Sequence, residues 1–162
     1  MKKIILVRHA KSDWESASLK DFDRPLSQRG LSDAPTMAEH LIKQNEIPEL
    51  IIASPAKRTT QTAKIIADKL AIAEVIFTEN MYDGSEEDYI HIIECLPDNI
   101  TTVMLVGHNP TITNLTNILT KSNIANIPTT GVAIIHSETL LWSTLFKTPA
   151  SLNKFFTPKM LK

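Results

Sequence analysis

The chain has 162 residues, 43% of them apolar and 22% charged, with a formal net charge of −1. This balance suits one globular domain spanning residues 1–162, with a buried core, and argues against a disordered chain. Without a block of like charge or a long apolar run, the sequence predicts neither a nucleic-acid surface nor a membrane span. The single cysteine, Cys95, allows no internal disulfide, and a cytoplasmic location is expected.

The short apolar run Ile4–Val7 predicts a buried strand ending in Arg8-His9. A polar segment from Lys11 to about Arg29 reads as a long loop, which in a compact domain implies a task. The first helix is expected near Ser32, with Pro35 in its first turn and Ala34, Met37, Ala38, Leu41 and Ile42 as its apolar stripe. Leu50–Ala53 is the second strand. Ser54-Pro55 then opens a helix with the stripe Ala63, Ile66, Ala67 and Leu70. Glu74–Phe77 reads as a third strand. Ser85 to Asp88 forms a capping-box-like start for a helix burying Tyr89, Ile92, Ile93 and Leu96. Cys95, beside Leu96, reads as a partly buried thiol. Thr102–Val106 is a strand, and Asn109-Pro110 starts a helix carrying Ile112, Leu115 and Leu119. Gly131–His136 and Leu140–Phe146 read as a closing hairpin. Strands alternating with helices predict an α/β fold whose mixed sheet is mostly parallel.

Three of these strands end in reactive residues. The first ends in Arg8-His9, the second in Ser54-Pro55 with Arg58 one turn on, and the fourth in Gly107-His108-Asn109. In a parallel sheet those ends lie along one edge, where ligands of open α/β sheets bind. Two arginines and two histidines would converge there. Guanidinium groups grip phosphate oxygens in pairs, helix N-termini add N–H donors, and a neutral imidazole can attack phosphorus. Phosphoryl transfer needs little else than position and fixed positive charge.

Val7-Arg8-His9-Ala10, the run Ser54-Pro55-Ala56-Lys57-Arg58-Thr59-Thr60-Gln61-Thr62-Ala63, and Val106-Gly107-His108-Asn109-Pro110 resemble the three blocks of the histidine phosphatase (phosphoglycerate-mutase-like) superfamily, in the family's order. The R-H-A-K-S-x-W run, Asp23-Arg24-Pro25-Leu26 with Arg29-Gly30, and Pro128-Thr129-Thr130-Gly131 resemble its small phosphohistidine-phosphatase branch. The resemblance covers nearly the whole chain and implies a three-layer α/β/α sandwich. It implies that His9 is the phosphorylated nucleophile and that His108, Arg8 and Arg58 complete the phosphate pocket. It also implies a reaction needing neither metal nor cofactor. Ala10 departs from the commoner R-H-G block. For the proton donor, Glu79 in Glu79-Asn80-Met81-Tyr82 has a fitting place and E-x-x-Y spacing.

Plainer roles are expected elsewhere. Ser54 and Asn109 read mainly as helix caps, and Arg24 and Arg29 as loop-holding ion pairs. Trp14 reads as a loop anchor. Lys11 and Ser12 are either substrate contacts or solvated loop residues, and Thr130 either offers its N–H to phosphate or forms a turn. His40, His91 and His136 are assigned no chemistry. Only about 20 residues separate Tyr82 from Thr102 and about 10 separate Thr120 from Gly131, so little chain is left to cover the pocket. An open site favours a phosphorylated protein, through phosphohistidine, as substrate. A small phosphomonoester is the alternative within the superfamily. A non-catalytic phosphoprotein-binding module is the alternative outside it.

Overall fold

A computed structural model describes residues 1–15 and 18–162. Six strands form one sheet: β1 (Lys2–Arg8), β2 (Leu50–Ala53), β3 (Val75–Phe77), β4 (Thr102–Gly107), β5 (Val132–Ser137) and β6 (Ala150–Phe156). Their order across the sheet is β3-β2-β4-β1-β5-β6. The first four strands run parallel, whereas β5 is antiparallel to both β1 and β6. Helices α1 (Gln28–Lys43) and α2 (Lys57–Leu70) cover one face through Met37, Leu41, Ala63 and Ile66. Helices α3 (Glu86–Glu94) and α4 (Thr111–Thr120) cover the other through Tyr89, Ile93, Ile112 and Leu115. The result is a three-layer α/β/α sandwich with a mostly parallel mixed sheet. The central strands β1 and β4 are apolar on both faces because both are covered.

Local chemistry shifts several expected boundaries. Helix α1 starts at Gln28, because Ser27 caps it by accepting the Gly30 N–H at 3.2 Å. Pro35 therefore lies in the helix interior, where it removes one hydrogen bond at a cost of about 3 kcal/mol. The buried stripe Ala34, Met37, Ala38 and Leu41 holds the helix together across it, while Ile42 faces solvent. Capping of α3 follows the expected box, with Ser85 and Asp88 each accepting the other's backbone N–H. Cys95, just past that helix, is exposed rather than partly buried.

The second strand of the expected hairpin is also corrected. Leu140–Phe146 does not pair with β5. Most of it lies in a 3-10 segment, Trp142–Lys147, and β6 follows. Residues three apart share a face in that geometry, so Trp142 and Leu145 are both buried against the α3–α4 side. The Trp142 indole N–H donates to the Ile100 carbonyl at 2.9 Å. No helix of the described residues is long and apolar enough to cross a membrane.

Candidate active site

The parallel register places the reactive residues side by side. Arg8 on β1 is opposite Gly107 on β4, and the His9 N–H donates to the Gly107 carbonyl at 3.0 Å. On the other side of β4, the Ser54 N–H donates to the Val106 carbonyl at 3.2 Å. His9, Ser54 and His108 thus follow three adjacent strands. They open onto a cavity of about 260 Å³ lined by Arg8, His9, Arg58, Tyr82, Asp83 and His108, among others.

The hydrogen bonds decide where the imidazole protons sit. His9 Nδ1 lies 2.7 Å from the Ala10 carbonyl oxygen. A carbonyl only accepts, so Nδ1 carries the proton and Nε2 keeps its lone pair. His108 has the opposite arrangement. Its Nδ1 is 3.3 Å from an Arg58 nitrogen, which only donates. Its Nε2 therefore carries the proton and donates to Ser54 Oγ at 2.8 Å. Burial pushes the His9 pKa down to about 3, and the positive charges of Arg58 and Arg8 add to that shift. Burial, then the Arg58 charge, lowers His108 to about 4. Both rings are neutral at neutral pH, as a nucleophile must be.

The arginines are held from behind. Arg8 donates to the Ile127 carbonyl at 3.0 Å, and burial lowers its pKa. Arg58 donates to the Asp21 carbonyl at 2.8 Å and to the Asp21 carboxylate at 3.1 Å. The Nε atoms of Arg8 and Arg58 are buried and have no hydrogen-bond partner among the described residues. Buried cationic donors left over beside a cavity fit an anion with several oxygens.

Further residues reach the site. Asp21 accepts from Arg24 at 2.9 Å and from the Tyr82 hydroxyl at 2.7 Å. Burial alone would raise its pKa, but the hydrogen bonds from Tyr82, Arg24 and Arg58 hold it far below the usual carboxylate range. Burial, followed by the bond to Asp21, pushes Tyr82 up to about 12. Tyr89 anchors His108 by accepting its backbone N–H at 3.3 Å, and donates to the Met81 carbonyl at 2.9 Å. A side chain at Gly107 would overlap the Tyr89 ring, so glycine permits this close approach.

The expected Arg8, His9, Arg58 and His108 come together, whereas Glu79 does not join them. Glu79 opens the 3-10 turn Glu79–Met81, is itself exposed, and is not among the residues lining the cavity. Tyr82 and Asp83, which follow that turn, line the wall instead. Ser54 is more than a cap, since its hydroxyl accepts from His108 as well as from the Ala56 N–H at 3.3 Å. Asn109 keeps its capping part by accepting the Thr113 N–H at 3.2 Å. Thr130 spends its N–H on the Arg8 and His9 carbonyls, at 3.0 and 3.1 Å, and has none to offer phosphate. Arg24 forms the expected ion pair, yet Arg24 and Trp14 also line the cavity, and Trp14 is 67% exposed rather than an anchor. Arg29 pairs with Asp33 at 3.4 Å. Sequence reading missed Asp21, Tyr82 and Asp83. The Asp21 to Arg24 run and the tyrosine of the E-x-x-Y spacing were their only signals.

Residues 4–89 match the model of the histidine phosphatase superfamily, branch 1. The chain belongs to that superfamily. Among similar proteins, an uncharacterized chloroplastic protein of Arabidopsis thaliana is 32% identical over 155 residues, covering 90% of this chain and 71% of the relative. An uncharacterized protein of Mycobacterium tuberculosis is 30% identical over 139 residues, covering 80% of this chain and 85% of the relative. The crystal structure of a candidate phosphohistidine phosphatase, SixA, from Agrobacterium tumefaciens superposes with a TM-score of 0.84 at 26% identity. It covers 97% of this chain and 98% of that one. The fold of this superfamily member is thus shared with structures of phosphoglycerate-mutase-like phosphatases. Among its described residues, no cluster of three or more His, Cys, Asp or Glu side chains is placed to hold a metal ion.

Proposed function

We propose that this single-domain chain is a metal-independent phosphatase that works through a phosphohistidine intermediate on His9 and dephosphorylates phosphohistidine in proteins. The observation that carries the reading is the tautomer of His9. Its Nδ1 proton is fixed on the Ala10 carbonyl, which leaves Nε2 as a lone-pair nucleophile among buried cations.

In the first step His9 Nε2 attacks phosphorus in line, and the P–N bond to the substrate imidazole breaks. Arg8 and Arg58 hold the equatorial oxygens, and their unpartnered Nε groups supply donors that strengthen as charge develops. His108 lies beside the same oxygens, with its ring centroid 5.3 Å from that of His9. The departing imidazole takes a proton, which we assign to Asp83 in place of Glu79 because Asp83 lines the cavity. In the second step water attacks phospho-His9, the P–N bond to His9 breaks and the water's proton returns to Asp83, releasing inorganic phosphate and restoring the imidazole.

The short connections from Tyr82 to Thr102 and from Thr120 to Gly131 leave little chain to cover the cavity, and an uncovered site can admit a phosphorylated protein side chain. At about 260 Å³ the cavity has room for a phosphoryl group and the ring that bears it. The SixA likeness points the same way. An exposed lone thiol, Cys95, suits a reducing compartment such as the cytoplasm. The test compares kcat/KM on a phosphohistidine carrier protein with kcat/KM on sugar and nucleotide monophosphates. A small ester turned over faster by orders of magnitude would replace the protein substrate. Stoichiometric binding of phosphate groups without turnover of any substrate would instead make the chain a binding module.

A further inference from the structure

Trp14 is the most conspicuous residue that this mechanism leaves unused. The chain has two tryptophans. Trp142 is fully buried, whereas Trp14 is 67% exposed. Its ring is nevertheless held in place. The Arg24 guanidinium carbon lies 3.5 Å from the ring centroid, close enough for a face-to-face stack. Arg24 is itself buried and tied down, donating to Ser12 Oγ at 2.8 Å and to Asp21 at 2.9 Å. One indole face is therefore covered by a fixed cation while most of the residue remains open to solvent. Trp14 lines the same cavity as His9, Arg8 and Arg58, and also borders the adjoining hollow between Lys11 and Arg29.

We propose that Trp14 is a specificity-determining residue whose exposed ring, stacked on Arg24 at the wall of the phosphate cavity, receives the planar leaving group of the substrate, the imidazole of phosphohistidine. The inference rests on the function proposed above and deepens it. In-line attack by His9 sends the leaving group away from the nucleophile, out of the arginine cluster and toward the cavity wall. A flat heteroaromatic ring gains stacking energy there, whereas the tetrahedral carbon of a serine or sugar ester gains none. The reaction itself is unchanged. The P–N bond of the substrate breaks, the P–N bond to His9 forms, and the departing imidazole takes one proton.

The test uses two substrates that share a P–N bond and differ in the ring, free phosphohistidine and phosphoramidate. It reads the ratio of their kcat/KM values in the wild-type chain, Trp14→Ala and Trp14→Phe, with thermal melting to confirm that each variant is folded. Trp14→Ala is expected to lower the ratio about tenfold, the size of one stacking contact, and Trp14→Phe by less, about threefold. An unchanged ratio in Trp14→Ala, with wild type still preferring phosphohistidine, would overturn the role of Trp14 and leave the function standing. A wild-type chain that hydrolyses phosphoramidate but not phosphohistidine would overturn the function first, and the role of Trp14 with it.

Discussion

His9 and His108 face each other with ring centroids 5.3 Å apart and planes tilted by 57°, and their neighbours force opposite tautomers on them. The Ala10 carbonyl takes the Nδ1 proton of His9, while Arg58 can only donate to Nδ1 of His108. His9 is thereby left with a free Nε2 lone pair, as the proposed nucleophile requires, while both ring nitrogens of His108 are engaged, one by Arg58 and one by Ser54. Two neutral imidazoles avoid the repulsion that two imidazolium ions would suffer among buried arginines.

Replacing the nucleophile tests this division of labour. His9→Ala should reduce phosphate release by about a thousandfold or more, since the proposed covalent intermediate forms on that side chain. Phosphate binding should survive, because Arg8 and Arg58 remain. Single-turnover phosphate release and calorimetric titration with inorganic phosphate measure the two separately. Turnover close to wild type would remove His9 from the mechanism.

The depressed histidines also make stability depend on pH. Unfolded histidine titrates near 6.5, whereas His9 and His108 titrate at about 3 and about 4 in the fold. Between these values the unfolded chain binds more protons than the folded one, so stability rises with pH in that window. The contribution is fully present above about pH 6.5 and is lost as pH falls toward 4 and then 3. Melting temperatures from pH 7 down to pH 4.5 should fall more steeply for wild type than for the double variant His9→Gln, His108→Gln. Parallel curves would contradict the shifts.

Arg58 meets both halves of the site, contacting His108 at 3.3 Å and Asp21 at 3.1 Å. Arg58→Ala should raise KM and lower kcat, with a combined loss of about a hundredfold to a thousandfold. Arg58→Lys should recover little, because an ammonium cannot make the paired contacts of the planar fork. Asp21→Asn should cost less, about tenfold in kcat, since the backbone carbonyl of residue 21 still holds one guanidinium nitrogen. Steady-state kinetics on one substrate ranks the three. An Asp21→Asn chain as impaired as Arg58→Ala would mean that Asp21 contacts substrate itself.

The parts of this site visible in the sequence are those carried by strands. β1, β2 and β4 are apolar runs that end in reactive residues, and a parallel sheet leaves their ends on one edge, so Arg8, His9 and His108 could be placed together from the sequence alone. Loop-borne residues were beyond that logic. Glu79 and Asp83 stand four positions apart in the same connection, and only the direction of the 3-10 turn decides which one reaches the cavity. Trp14 looked like an anchor because large apolar side chains are usually buried, yet a stack on Arg24 holds it while leaving it exposed. The last strand was misplaced because Trp142, Leu145 and Phe146 are as apolar as a strand, and three-residue spacing within so short a run is easily missed.

Gly107 carries a severe packing constraint directly behind His108. A Cβ built there would overlap the Tyr89 hydroxyl and lie 2.8 Å from its ring, and Tyr89 is fully buried. Gly107→Ala should destabilise the fold by about 1–3 kcal/mol through overpacking. It should also lower activity in the protein that remains folded, because Tyr89 would be pushed off the His108 N–H that it accepts at 3.3 Å. Denaturant melts give the first quantity, and kcat per folded molecule gives the second. A stability loss with unchanged kcat would show that Tyr89 supports the core alone.

Ala71 offers a gain in stability remote from the chemistry. It follows α2 with φ of 57°, in the left-handed region, and is exposed. A side chain there costs about 1–2 kcal/mol, whereas glycine adopts the conformation freely. Glycine loses more backbone entropy on folding, which takes back about 0.5–1 kcal/mol. Ala71→Gly should therefore raise stability by roughly 0.5 kcal/mol, the difference between those two effects, with kcat unaltered. A melting temperature that falls would mean that the helix end relaxes out of the left-handed conformation in solution.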